Sequence, residues 1–541
     1  MAKTKPPKQQ SAFETDGLGK TVDRICEEIR KFYLWDQIPW VIGYSGGKDS
    51  SAVLQLVWLA IKEIPPAKRK KQIHVISTDT LVEQPIVSLW VDDSHAKMRK
   101  AAAEQEVPIT PHKLSPATVD TFWVNLIGKG YPKPTNQFRW CTSRMKINPS
   151  NNFIRNVIRE NGEALLVLGT RKAESQRRAR NMSKAEEQSR GAFLDERLSV
   201  NTSLPNSRVF TPIEDWTNDD VWLFLMQVKN PWGHTNKSLL GMYQGASEDN
   251  ECPLVVDTST PSCGSSRFGC WVCTVVDKDR SMEAMIKNDQ EKEWMAPLLE
   301  LRNELACIEE GIGPAERKKI GKKRRDKLSD DDLRKIERSR RDYRRIDGRV
   351  MLFKDATIPG PYTKAFREHW VRRVLEIQKQ IRELGPKEVA KLELISMAEL
   401  QEIRRIWLDE KHEFDDSLPT IYQEVMGEEF PIPPADDKLL GAEDWEILAD
   451  VCDGDERMFR LQADLLDVER QYRGMTRRAG VYDELVDRLK ASQFADEDEA
   501  IRLKREEKRR LDEAQGKKDE ATHTPQLELF GEDDITEEII I

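Results

Sequence analysis

Two groups of residues in this 541-residue chain have the types and spacing to do chemistry. The first is Tyr44-Ser45-Gly46-Gly47-Lys48-Asp49-Ser50, set between the apolar run Trp40-Val41-Ile42 and a helical pattern from Ser51 to Lys62. Glycines at such a turn let several backbone N–H groups aim at one anion, and the following helix N-terminus adds its partial positive charge. Ser45 and Ser50 add hydroxyl donors, and Lys48 reaches a phosphate. One helix terminus contributes only about 0.3–1 kcal/mol. Micromolar nucleotide binding needs about 8 kcal/mol, so further cations must converge. Gly43-Tyr44-Ser45-Gly46-Gly47 also fits a nucleophile elbow, but that reading leaves Lys48 and Asp49 idle, and no histidine has the context of a triad base. The spacing excludes a Walker A loop here. The second group is Cys270-Trp271-Val272-Cys273, with Cys263 upstream. A C-x-x-C turn points two sulfurs at one place, which suits a soft metal, a cluster or a redox disulfide. Four thiolates hold zinc equally well, so the residues alone leave the metal open.

The elements that must position these groups read as an α/β fold. An amphipathic helix (Val22, Ile25, Ile29, Phe32, Tyr33) leads into Trp40-Val41-Ile42, then the glycine turn, then the helix to Lys62. Ile73-His74-Val75-Ile76-Ser77 is a second buried strand, followed by a helix through Leu89 to Ala103. Leu165-Leu166-Val167-Leu168 is a third, ending at Gly169-Thr170. Alternating strands and helices imply a parallel sheet covered on both faces, with ligand-binding turns along one edge. From Val209 to Met226 a short strand, a proline turn and a helix opening at Thr217 follow, with Asp219 or Asp220 suited to its N-terminus. Past about residue 285 the sequence is helical and rich in Leu, Glu, Lys and Arg. The expected organisation is a flexible arm at 1–20, an α/β domain with its cysteine cluster at 21–285, a helical extension at 286–505 and a charged, disordered tail at 506–541.

Composition bounds the class. Charged residues make up 33% and hydrophobic residues 38%, and no run approaches the roughly 18 apolar residues of a spanning helix. The start MAKTKPPKQQ lacks the apolar core of a signal peptide, and eight unevenly placed cysteines do not make a secreted disulfide scaffold. The expectation is a cytoplasmic protein with no membrane. Cys26, Cys307 and Cys452 stand alone in helical context and read as buried structural thiols. The net charge is -9, yet Arg317 to Arg349 carries 16 Lys/Arg against 7 Asp/Glu, which marks either a polyanion contact or a solvated helical face.

At these residues the chain resembles a family. Ser45-Gly46-Gly47-Lys48-Asp49-Ser50 resembles the S-G-G-x-D-S loop of the N-type ATP pyrophosphatases, which include PAPS reductases, ATP sulfurylase small subunits and tRNA thiolation enzymes. The resemblance implies an adenine nucleotide alpha hydrolase-like (PAPS reductase type) parallel sheet with a long, mainly α-helical C-terminal extension. It also implies ATP and magnesium at the loop, with cleavage between the α- and β-phosphates. Asp79 in Ser77-Thr78-Asp79-Thr80 stands where relatives place an acidic residue near nucleotide or metal. Gly169-Thr170-Arg171-Lys172-Ala173-Glu174-Ser175-Gln176-Arg177-Arg178 is similar to the G-x-R-x-x-E-S-x-x-R segment of PAPS reductases, which makes Arg171 and Arg178 phosphate contacts by analogy. Lys48, Asp49 and Arg171 are the catalytic candidates; Ser45, Gly46, Gly47, Ser50, Asp79 and Arg178 complete the nucleotide set.

Phe138-Arg139-Trp140-Cys141 resembles the cysteine segment of assimilatory APS reductases, which bind a [4Fe–4S] cluster beside the nucleotide. Those enzymes carry a double cysteine where Trp140 precedes Cys141 here, so Cys263 has to replace the absent sulfur, in competition with Cys252. The implied ligands are Cys141, Cys263, Cys270 and Cys273. Taken together, loop, cysteines and helical extension are most similar to the DndC sulfurtransferase family of bacterial DNA phosphorothioation. That family replaces a non-bridging oxygen of DNA by sulfur, takes sulfur from a cysteine desulfurase and associates with other Dnd proteins (DndD, DndE). The alternatives are a PAPS or APS reductase acting on a small adenylyl sulfate, and a non-catalytic protein that retains a nucleotide fold.

Overall fold

The computed structural model describes residues 10–174, 198–201, 204–246, 268–323, 326–345, 348–353, 356–413, 415–432, 442–472, 478–492, 494 and 496–514. They divide into two compact units: the described residues of 10–121 with those of Pro134–Leu299, and Phe122–Lys133 with the described residues of 300–514.

The first unit is built on six strands: β1 (Trp40–Gly43), β2 (Ile73–Thr78), β3 (Ile109–Leu114), β4 (Ala164–Val167), β5 (Leu198–Val200) and β6 (Ser207–Phe210). Their order is β3-β2-β1-β4-β6-β5. All neighbours are parallel except β5, which runs antiparallel to β6 at the edge. Side chains alternate between the faces. Trp40, Ile42, Ile73, Val75, Leu165, Val167 and Phe210 join one apolar core, with α1 (Gly17–Trp35), α2 (Lys48–Lys62), α3 (Pro85–Glu104) and α5 (Asn218–Gln227). Val41, Ile76, Leu166 and Val209 join a second with Ile154 and Val157 of α4 (Asn148–Asn161). Nearly every residue of α2 from Ser50 to Ile61 is buried, because it lies between the sheet and other helices rather than at the surface.

The helix expected at Thr217 is observed. Thr217 Oγ1 accepts from Asp220 N (3.1 Å) and Asp220 Oδ2 accepts from Thr217 N (2.8 Å), a reciprocal cap. Ser11 Oγ and Ala12 N also donate to Asp220, and Phe13 packs edge-on to Trp216, so the chain is tied to this helix from Ser11 onward. Two features escaped the periodicity. Strand β3 contains Pro111, His112 and Lys113, and β5 is three residues long, so neither carries an apolar run.

The second unit is mainly helical, including α7 (Pro314–Lys319), α8 (Asp330–Ser339), α9 (Lys364–Leu384), α10 (Met397–Asp409) and α11 (Ser417–Met426). A two-stranded ribbon, Leu352–Phe353 with Ala356–Thr357, interrupts the helices expected there. Its core includes the segment Phe122–Lys133. Trp123 is fully buried and its Nε1 donates to Leu394 O (2.6 Å), Trp407 Nε1 donates to Ile127 O (3.1 Å), and Tyr362 N donates to Gly130 O (2.7 Å). Among the described residues no helix is long and apolar enough to cross a membrane.

Two predictions follow from this packing. Trp123→Ala removes a buried indole and its hydrogen bond, and should cost about 3–5 kcal/mol in denaturant unfolding. In the first unit, burial lowers the pKa of His74 and of His95 from 6.5 to about 4. His74 Nδ1 lies 3.0 Å from His112 Nε2 on the next strand, and His95 Nε2 lies 2.8 Å from Ser77 Oγ. The unfolded chain therefore takes up protons between pH 6.5 and 4 that the folded chain refuses, and stability drops as pH falls through that window. Melting temperatures measured across it should show this fall, and His74→Gln should flatten it.

Candidate functional site

The loop after β1 turns at Gly46, whose φ of +74° favours glycine. A Cβ there would meet Val91 Cγ2 at 2.7 Å and Trp90 Cδ1 at 3.1 Å, and Trp90 Nε1 donates to Gly46 O (3.1 Å), so α3 braces the turn. Ser50 Oγ accepts from Ser45 N (3.2 Å), donates to Gly47 O (3.1 Å) and lies 3.2 Å from Ser45 Oγ. The two serines thus hold the loop closed on the first turn of α2. At the end of β4, a Cβ on Gly169 would lie 3.0 Å from the carbonyl carbon and oxygen of Asp49. The two strand tips and the helix start meet there.

That approach brings in Arg171, two residues past Gly169 and only 4% exposed. Its Nε donates to Asp49 Oδ1 (2.8 Å) and its Nη1 to Trp216 O (3.1 Å), while Lys48 Nζ lies 3.2 Å from Asp49 Oδ2. Two cations bracket one carboxylate, leaving the loop net positive. The Lys48 amide donates to the hydroxyl of Tyr243 (3.4 Å) on α6 (Asn236–Gly245), and the Lys48 ammonium sits 5.5 Å from the centre of that ring. Burial pushes the Tyr243 phenol well above its ordinary pKa, so it stays neutral. Its hydroxyl therefore occupies a donor that an anion would use.

Asp79 follows β2. Its Oδ1 accepts from Leu81 N (2.8 Å) and its Oδ2 pairs with Lys113 Nζ (2.9 Å). Beyond it, Glu83 pairs with Cys270 in an antiparallel bridge and Trp271 N donates to Val82 O (3.0 Å), which docks the C-x-x-C turn on the loop after β2. Cys273 N donates to Cys270 O (3.0 Å), closing that turn. Cys270 Sγ lies 3.3 Å from Thr80 Oγ1 and 3.9 Å from Glu83 Oε1.

Cys141 sits on a short helix, Trp140–Thr142, continued through a wide turn at Ser143–Ile147 into α4. Burial pushes its thiol up to about 11, with Cys273 adding to the effect. Burial, then Glu83, pushes Cys270 up to about 12. The Lys146 ammonium, 3.7 Å from Glu83 Oε1, has its pKa raised first by Cys270 and also by Glu83, Cys141 and Cys273. The three thiols therefore lie within electrostatic reach of one partly exposed cation. Phe268, two residues before Cys270, stands edge-on to the Tyr243 ring at 4.8 Å.

Residues 39–275 match the family model of the phosphoadenosine phosphosulfate reductase domain. The chain carries a PAPS reductase-like domain. An uncharacterized protein of Methanocaldococcus jannaschii is 25% identical over 282 residues, covering 52% of this chain, and this chain spans only 44% of that protein's length. Among solved structures, the FMN adenylyltransferase of Candida glabrata is similar over 44% of this chain and 64% of that one (TM-score 0.24, 11% identity). The U34-tRNA thiolase NcsA of Methanococcus maripaludis, solved with its [4Fe–4S] cluster, is similar over 55% of this chain and 82% of that one (TM-score 0.25, 16% identity).

Within the PAPS reductase-like domain, the structure gathers Ser45, Gly46, Gly47, Lys48, Asp49, Ser50 and Arg171 into one loop site, and Cys141, Cys270 and Cys273 into another. Asp79 lies between them in sequence, engaged by Lys113. Arg178, Cys252 and Cys263 lie outside the described residues. Cys26, Cys307 and Cys452 are buried, as expected. Among the described residues no three His, Cys, Asp or Glu side chains close tightly enough for a single metal ion. Tetrahedral zinc would draw its thiolates to about 3.8 Å of one another, given Zn–S bonds of about 2.3 Å. A cubane cluster spaces its thiolates more widely and asks for soft donors, and Cys141, Cys270 and Cys273 are soft donors within electrostatic reach of Lys146. Tyr243, Trp90, Glu83 and Lys146 were not singled out from sequence. Lys146 stood five residues from Cys141 as a clue, whereas nothing around Tyr243 pointed to the loop.

Gly46→Ala puts a side chain into the left-handed region against Val91, at a cost of about 1–3 kcal/mol, and calorimetry should show ATP affinity reduced at least about tenfold with the helix content unchanged. Tyr243→Phe frees the Lys48 amide, and the same measurement should show affinity raised by an amount worth about 1 kcal/mol.

Proposed function

We propose that this chain is an ATP-dependent sulfurtransferase of the DndC type, which activates a backbone phosphate of DNA by adenylation and replaces a non-bridging oxygen by sulfur. One observation carries the reading. The anion loop after β1 and the cysteine turn docked after β2 lie at the carboxyl ends of neighbouring parallel strands, joined by the Tyr243–Phe268 contact. Ligands of open α/β sheets bind along that edge.

The chemistry follows from charge and leaving-group ability. A phosphate oxygen leaves poorly, so it first attacks the α-phosphorus of ATP, forming an adenylate and releasing pyrophosphate. A sulfur nucleophile then attacks the activated phosphorus, and AMP departs with the oxygen. The loop amides, Ser45, Ser50 and Lys48 hold the departing pyrophosphate, whose negative charge grows in the transition state. Arg171 fixes Asp49 beside Lys48, acting as a positioning residue. Magnesium would be held mainly by the ATP phosphates, with Asp49 as the protein oxygen at hand. Cys141, Cys270 and Cys273, with Cys263 as fourth, would hold a [4Fe–4S] cluster, which when bound supplies one-electron chemistry next to the nucleotide. The Lys146 ammonium offsets the negative charge of these thiolates once deprotonated. The sulfur comes from a cysteine desulfurase, DndD and DndE are the assembly partners, and the compartment is the cytoplasm.

A second reading is favoured by the family match alone: reduction of a small adenylyl sulfate to sulfite. Purified protein given ATP, a DNA duplex, a persulfide donor and excess thiol, which reduces the P–S–S–R adduct first formed and is itself oxidised to disulfide, should release pyrophosphate and form phosphorothioate, read by nuclease digestion and mass spectrometry. Lys48→Ala should lower pyrophosphate release by about 10²–10³-fold. Cys270→Ala should abolish thiolation while release continues. Sulfite from adenylyl sulfate, with no pyrophosphate from ATP, would establish the second reading instead.

A further inference from the structure

The helical unit contains a cavity of about 230 Å³ that plays no part in the nucleotide site, far larger than the ~10–15 Å³ a water requires. We infer that this cavity, lined by Lys133, Arg334, Arg338 and Arg341, is a second anion site that takes a phosphate group.

The four cations come from two parts of the chain. Arg334 and Arg338 are one turn apart on α8, Arg341 lies just past its end, and Lys133 enters from the segment Phe122–Lys133. Two of them have carboxylate partners: Lys133 Nζ lies 3.4 Å from Glu337 Oε2, and Arg338 Nη2 lies 2.6 Å from Glu497 Oε1. The other two do not. Arg341 is held by backbone only, Nε to Gly360 O (2.7 Å) and Nη2 to Pro359 O (2.6 Å). Arg334 is exposed, and among the described residues no carboxylate forms an ion pair with either. The cavity thus has two guanidinium charges in excess, and its floor of Leu333, Cys307 and Pro359 is apolar. Burial lowers the Arg341 pKa, with the Glu337 carboxylate, which also lines the cavity, acting against that shift.

Three other arginines of the basic stretch are engaged by the fold. Arg317 donates to the carbonyls of Asp326, Ile312 and Glu309, Arg340 makes a two-point pair with Glu316, and Arg344 donates to Phe494 O. These arginines staple the fold. Planar guanidinium forks that keep unused N–H groups match the tetrahedral oxygens of phosphate. That chemistry has two sources, a phosphodiester of a nucleic-acid backbone or a free phosphorylated small molecule. The inference does not rely on the proposed reaction.

The test uses the full chain carrying Lys48→Ala, so that the loop does not compete. Inorganic phosphate is titrated by calorimetry, and a fluorescent DNA duplex by polarisation at several salt concentrations. Arg334→Glu, at an exposed position, should leave the melting temperature unchanged and weaken phosphate binding about tenfold or more, and Arg341→Gln should act in the same direction. If duplex affinity falls in parallel and its salt slope drops by about 1, the source is a phosphodiester. If only inorganic phosphate is affected, the source is a small molecule. Absence of phosphate binding, or binding that Arg334→Glu leaves unchanged, overturns the inference. Neither result bears on pyrophosphate release by the chain that keeps Lys48, so the two proposals fail separately.

Discussion

A loop that holds a polyphosphate has to bring several backbone amides within reach of one anion, and backbone can approach backbone that closely only where side chains are missing. Gly169 meets this constraint by bringing the tip of β4 against the peptide of Asp49, with no room to spare for a Cβ. The approach carries Arg171 onto the Asp49 carboxylate, and Asp49 in turn holds Lys48. β1 lies between β2 and β4, so chain leaves its two neighbours on either side of the loop, the arrangement that opens a crevice in such sheets.

The cysteine turn depends on the same edge. It is held by a backbone bridge to Glu83, just beyond β2, while Cys141 arrives from the other face of the sheet at the head of α4. The Cys141 and Cys270 thiols, partly exposed and with raised pKa values, are neutral at physiological pH, and the Lys146 ammonium favours their thiolates. Glu83 works in the opposite sense on Cys270 and ties Lys146 in place. The lysine and the glutamate therefore act in opposite directions on the proton affinity of Cys270.

In the helical unit the surplus of positive charge is mostly spent inside. Backbone carbonyls at loop turns and helix ends need donors, and arginines 317, 340, 341 and 344 supply them. This is why counting charges along the stretch overstates the electrostatic face it presents. The segment Phe122–Lys133, remote in sequence, completes the same core with Trp123 and Ile127, and no apolar period near residue 122 announces that its partners lie some 270 residues later.

By itself the sequence determined the strand–loop–helix at Trp40–Lys62, the two strands that flank it, the cap at Thr217 and the identities of the loop and cysteine residues. Each of these is a local property, set by side-chain period, glycine's backbone freedom or a cap within four residues. Tertiary structure alone decided that β3 and β5 pair at the sheet edges despite their polar residues, because ladder hydrogen bonds come from the backbone and not from side-chain type. It also decided that Arg171 holds Asp49, that Tyr243 covers the Lys48 amide and that Lys146 sits among the thiols. Those contacts join residues tens to hundreds of positions apart, and charge and burial at such distances exist only after the chain has closed on itself.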